Sequence, residues 1–119
     1  MSMPGDFVGK LFAMTNTAHR AHLTTNSYAR HMALGEFYEN LLELRDRYAE
    51  VYAGKFDVIR DILTVPMGNG DIQTLINEDI TWIEASYGDL SQGNPSLQNI
   101  VADVLESYYH VRYKLVNLG

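Results

Sequence analysis

The sequence predicts an all-α protein, an antiparallel four-helix bundle forming a single domain over residues 1–119. Two observations point there. Apolar residues recur at spacings of three and four in four long stretches, which is the stripe of a helix that buries one face. Short clusters of Thr, Asn, Ser, Gly and Pro separate those stretches, and no convincing strand pair, internal repeat or low-complexity tract interrupts them. At 119 residues, 46% hydrophobic and 20% charged, the chain suffices for one core.

The first helix is expected over residues 6–24, with Phe7, Leu11, Met14, Ala18 and Ala21 on one face and Asp6 as its N-cap. The run Thr24-Thr25-Asn26-Ser27 favours side-chain-to-backbone bonds over helix interior, so a tight turn centred near Thr25 follows. The second helix spans residues 27–53. Leu34, Phe37, Leu41, Leu44, Tyr48 and Val51 lie on its apolar side, with Glu36, Glu39, Glu43, Asp46 and Glu50 opposite, and Gly54 reads as its C′ residue. Residues 55–65 carry Phe56, Ile59, Ile62 and Leu63 and are expected to form a short extra helix between the second and third long ones. Residues 66–70 hold one proline and two glycines and make a connection. The third helix is placed at 71–87, with Ile72, Leu75, Ile76, Ile80 and Ile83 inward. Asn94 before Pro95 starts the fourth, whose face runs from Ile100 to Leu115.

Several function classes are excluded. Net charge is −6 and the Lys and Arg residues are scattered, so clustered phosphate neutralisation, and with it nucleic-acid binding, is not expected. No apolar run approaches the ~18 residues of a membrane span, and no signal pattern opens the chain. Cysteine is absent, which removes disulfide and thiolate chemistry. A cytoplasmic location is the expectation.

The chemistry-bearing residues are histidines and carboxylates. His19, His22 and His31 fall close together, and Asp46 and Glu50 follow four residues apart. Imidazole and carboxylate suit iron, zinc or manganese. With the turn at Thr25, His19 and His31 are equidistant from it and face each other across the hairpin, while His22 shares the His19 side. Asp46 lies about 22 Å along the second helix from His31, so either the two groups are unrelated or a second subunit brings the carboxylates to the histidines across a two-fold axis. Glu-x-x-His, the inward motif of di-iron bundles, is absent. His110 has no carboxylate in metal-site register and reads as structural, and Trp82 and the tyrosines read as packing groups.

The stretch from His19 to Gly54 resembles the Dps family, ferritin-like mini-ferritins that oxidise ferrous iron. The resemblance rests on two histidines twelve residues apart and on Asp46-Arg47-Tyr48-Ala49-Glu50, similar to the family's Asp-x-x-Ala-Glu. It implies a ferritin-like bundle and an iron site between subunits, with His19 and His31 from one chain and Asp46 and Glu50 from its mate. It also implies a homodimer at minimum, up to a larger cage. Gly35 stands where the family has a further aspartate, and His22 or Glu36 would substitute for it. The phrase from His22 to Tyr38 is similar to small uncharacterised ferritin-like proteins of tailed bacteriophages, which implies a host-cytoplasmic setting. The functional expectation is therefore an iron-binding protein with Fe(II) oxidation, zinc or manganese being open. The alternative is a non-catalytic helical-bundle phage protein with a structural or host-interaction role.

Overall fold

In the computed structural model, which describes residues 2–66, 68 and 70–118, four helices account for most of the chain: α1 (Met3–Thr24), α2 (Tyr28–Lys55), α3 (Ile72–Ser91) and α4 (Pro95–Asn117). The 28 residues of α2 span about 42 Å at 1.5 Å each, which sets the 44 Å long axis of the molecule.

The caps follow local chemistry. Ser2, not Asp6, caps α1, its Oγ accepting from the Gly5 N–H at 3.0 Å, and Pro4 sits in the first turn where its missing N–H costs nothing. Ser27 caps α2 by accepting from Arg30, and Asn94 caps α4 by accepting from Leu97. Two expected ends lie further on. α2 runs through Gly54 to Lys55, and α3 runs through Gly88 to Ser91, where Gln92 takes φ 47°. A single helix-interior glycine costs only about 1 kcal/mol relative to alanine, less than tertiary packing supplies.

The connection between α2 and α3 departs most from expectation. Residues 57–66 form neither helix nor strand, where the sequence pattern predicts a short helix. Val58, Ile59, Ile62, Thr64 and Val65 are β-branched, which lowers helix propensity. The remaining reason is tertiary. Gly5 and Gly9 leave a notch along α1, and the segment lies in it. A Cβ on Gly5 would stand 2.3 Å from the Asp61 carbonyl oxygen, and one on Gly9 would stand 2.1 Å from that of Leu63. The Leu63 N–H donates to the Gly5 carbonyl at 3.1 Å, and the Asp61 carboxylate accepts from the Ser2 N–H at 2.6 Å and the Ser2 hydroxyl at 3.0 Å. Of the connection expected at 66–70, Met67 and Asn69 lie outside the described residues.

This strap determines the topology. Tyr48, near the end of α2, donates to the Leu90 carbonyl at the end of α3, so α2 and α3 run the same way. α1 packs against α2 and α3, α4 packs against the same two, and every neighbouring pair is antiparallel. The order is up-down-down-up with one long crossover, a connectivity consistent with ferritin-like bundles. The core is continuous through all four helices, from Phe7 and Leu11 to Tyr108 and Leu115. No helix among the described residues is long and apolar enough to cross a membrane.

Candidate functional site

The α1–α2 hairpin brings the histidines together, one register step from the expected one. Thr25 and Ser27 bound the turn, so its centre falls at Asn26 and not at Thr25. The ring contacts set His22 against His31 and His19 against Tyr38. The His22 and His31 rings stack at 3.7 Å and 17°, and the His19 ring stacks on Tyr38 at 4.2 Å and 12°. Tyr28 lies beyond His31, 6.1 Å between ring centres.

The stacked pair is bonded reciprocally. His22 Nδ1 lies 2.5 Å from the His31 carbonyl, and His31 Nδ1 lies 2.8 Å from the His22 carbonyl. A carbonyl only accepts, so each Nδ1 carries the proton and each Nε2 keeps its lone pair when neutral. That is the tautomer a metal-ligating histidine uses. The stacking nevertheless opposes chelation of one ion by this pair. Lone pairs of near-parallel rings do not converge, whereas a shared metal would sit about 2.0–2.1 Å from both nitrogens.

Gly35 makes room for this arrangement. A Cβ there would lie 2.9 Å from Cε1 and 3.1 Å from Nδ1 of the His22 ring. His22 thus occupies the space that a side chain at position 35 would fill.

The carboxylates are elsewhere. Asp46 is exposed and paired with Arg45 at 3.0 Å, while the Arg45 guanidinium lies 3.8 Å over the Phe12 ring. Glu50 is exposed. Glu36 accepts from Lys114 of α4 at 3.0 Å. Among the described residues no group of three or more histidine, aspartate or glutamate side chains could hold a metal ion. A second subunit that set His31 against Asp46 and Glu50 would place its two-fold axis near Glu39 and Asn40 of antiparallel α2 helices. Glu39 would then face its own copy and Glu36 would face Glu43, like charges that repel unless a cation intervenes.

Some polar groups that the sequence pattern treats as packing are placed with more purpose. Tyr108, fully buried, donates to Asp79 Oδ2 at 2.7 Å. Burial holds the Asp79 carboxyl above the usual carboxylate range, and burial beside Asp79 pushes the Tyr108 hydroxyl well up. Burial likewise raises Tyr48. A furrow between α2 and α4 also escapes the periodicity. Its only sequence signal is small or polar residues, Ala29, Ala33 and Asn40 on α2 and Ser107 on α4, where helices usually meet through larger apolar ones. His110 is exposed and lines this furrow.

A family model described as a family of unknown function (DUF5856) matches residues 22–115. The chain is also similar to an uncharacterized 14.6 kDa protein in the mobD-ri intergenic region of Enterobacteria phage T4, 28% identical over 119 residues, covering 96% of this chain and 88% of that protein. No solved structure matches.

Proposed function

The chain belongs to the family of unknown function DUF5856, and from that premise we propose that it is a non-catalytic helical-bundle protein of phage type that acts by binding a partner, in a structural or host-interaction role. One observation carries this reading. The side chains that could do metal chemistry are committed singly, His22 and His31 to each other, His19 to Tyr38 and Asp46 to Arg45, and they do not converge. The similarity to a phage T4 protein supports the setting. Anaerobic Fe(II) titration followed by oxygen-uptake recording tests it. The expected result is no bound iron and no oxidation above buffer. Stoichiometric uptake that disappears in His31→Ala would overturn it.

A second reading keeps iron, with zinc or manganese as rivals. His19 and His31 of one protomer would join Asp46 and Glu50 of its partner, and His22 or Glu36 would stand in for the missing aspartate. The pinned Nδ1 of His22 and His31, which leaves Nε2 available, favours it. The repulsion of Glu36, Glu39 and Glu43 across the axis gives it a signature: light scattering would show a dimer or larger cage with Fe(II) and a monomer without it.

A further inference from the structure

We infer that the furrow between α2 and α4 docks a basic amphipathic helix of a partner protein. This rests on the binding reading above and names the partner's chemistry. The furrow consists of two joined hollows of about 360 and 550 Å³ that share Ala33, Glu36 and Lys114. On α2 it runs from Ala29 to Leu44, roughly 22 Å or four helical turns. Phe37, Leu44 and Val111 form the floor of the lower hollow, and Met32 and Leu118 wall the upper one. Met32 is 54% exposed although apolar.

Charge decides the occupant. Glu36, Glu39 and Glu43 line one rim and Asp103 and Glu106 the other. The opposing cations are few. Lys114 is held on Glu36 at 3.0 Å, and Arg47 reaches Asp103 at 3.7 Å. Glu39, Glu43 and Glu106 have no ion pair among the described residues. A second copy of this chain would bring the same acidic rims together, so like-charge repulsion disfavours it. A helix with apolar residues at i, i+3, i+4 and i+7 flanked by Lys and Arg satisfies floor and rims together. Lys114 crosses the furrow where the hollows join, so docking must displace it, and its removal should help.

The probe is a four-turn synthetic peptide with leucine along one face and lysine on both flanks, compared with its counterpart carrying glutamate for lysine. Both are titrated into the full chain and followed by amide NMR. The lysine peptide is expected to bind with shifts confined to α2 and α4, and the glutamate peptide not to bind. Glu43→Lys with Glu106→Lys should weaken binding roughly tenfold, and Asn40→Trp, which plugs the furrow from an exposed position, should abolish it. Glu78→Lys with Asp89→Lys, the same charge change on α3, should leave it unaltered. Lys114→Ala should tighten binding where Lys55→Ala, with an equal change in net charge, does not. Absence of binding, equal binding of the two peptides, shifts away from the furrow, or indifference to the Glu43 and Glu106 changes would each overturn the docking site. Iron uptake would instead remove the binding reading beneath it, so the two failures are distinct.

Discussion

The two ends of this bundle use their polar groups in opposite ways. At the end where α1 begins, polar contacts tie segments distant in sequence together: Ser2 to Asp61 at the surface, Leu63 to Gly5, and Tyr48 to Leu90 in the interior. Two glycines let a backbone strap press against a helix backbone, and Phe7 packs edge-on against Tyr48 at 4.8 Å beneath it. At the end where α1 and α2 turn, apolar side chains point outward: Leu23, Tyr28 at 76% exposure and Val116 at 70%. The histidines sit at this open end as a half-exposed clasp on the hairpin. At the strap end backbone meets backbone through glycines, and at the turn end the hairpin is closed by stacked side-chain rings. The clustering of histidines at one end then reads first as hairpin architecture.

The comparison breaks most visibly at Gly9. Gly9→Ala drives a Cβ to within 2.1 Å of the Leu63 carbonyl oxygen, a backbone atom that yields only if the strap lifts. Overpacking of this kind costs about 1–3 kcal/mol, against a helix-propensity gain of up to about 1 kcal/mol. Gly54→Ala is the same chemical change inside α2, yet its Cβ meets nothing within 4 Å. It should gain about 0.5–1 kcal/mol. Thermal melts should therefore move in opposite directions, by several degrees down and a few degrees up. Equal shifts would mean that the strap does not depend on the notch.

Next in size are the buried polar bonds. Tyr108→Phe leaves the Asp79 carboxyl without its donor and should cost about 1–3 kcal/mol in urea unfolding. Asp79 also sets a pH dependence. Burial raises its carboxyl in the folded state, although the Tyr108 hydroxyl and the Lys10 charge pull it back. The folded chain thus holds this proton more tightly than the unfolded one. The stabilisation it gives is complete below the unfolded value of 3.8 and is lost as pH rises through the folded one. Asp79→Asn keeps an acceptor for Tyr108 and carries no charge. It should be more stable than the parent at neutral pH and converge with it in acid. A constant gap across that range would assign the effect to something other than the carboxyl.

What could be read from the sequence divides along the same line. Residues whose neighbours lie one turn away were legible: the four apolar stripes and the Asn94-Pro95 start. What depends on a distant partner was not. The 57–66 segment has enough three- and four-residue spacing to resemble a helix, and only the notch of Gly5 and Gly9, more than fifty residues upstream, makes it a strap. Ser2 shows the same limit in miniature, since Pro4 inside the first turn and Asp61 across the chain together fix where α1 begins. At the candidate site the hairpin itself was legible, and its register was not. The turn is centred one residue further on than Thr25, and His22 in place of His19 stands against His31. His19 and His31 stand twelve residues apart in the sequence, but their rings find other partners.

Gly35→Ala has the smallest expected effect on stability and the sharpest spectroscopic one. Its Cβ, 2.9 Å from Cε1 of His22, must push the imidazole off His31 and break a reciprocal pair of hydrogen bonds. Each such bond is worth about 0.5–1.5 kcal/mol net, and less at a half-exposed site. The alanine returns up to about 1 kcal/mol of helix propensity to α2. The two nearly cancel, so the melting temperature should move little. The Nδ1 protons of His22 and His31, sheltered between ring and carbonyl, should leave the slowly exchanging set in imidazole NMR spectra. If both persist, the ring is held by its stacking on His31 and not by the space that Gly35 provides. If both vanish, this position on α2 accommodates either a side chain or the His22 ring. An aspartate at Gly35 and the His22–His31 clasp would then be mutually exclusive.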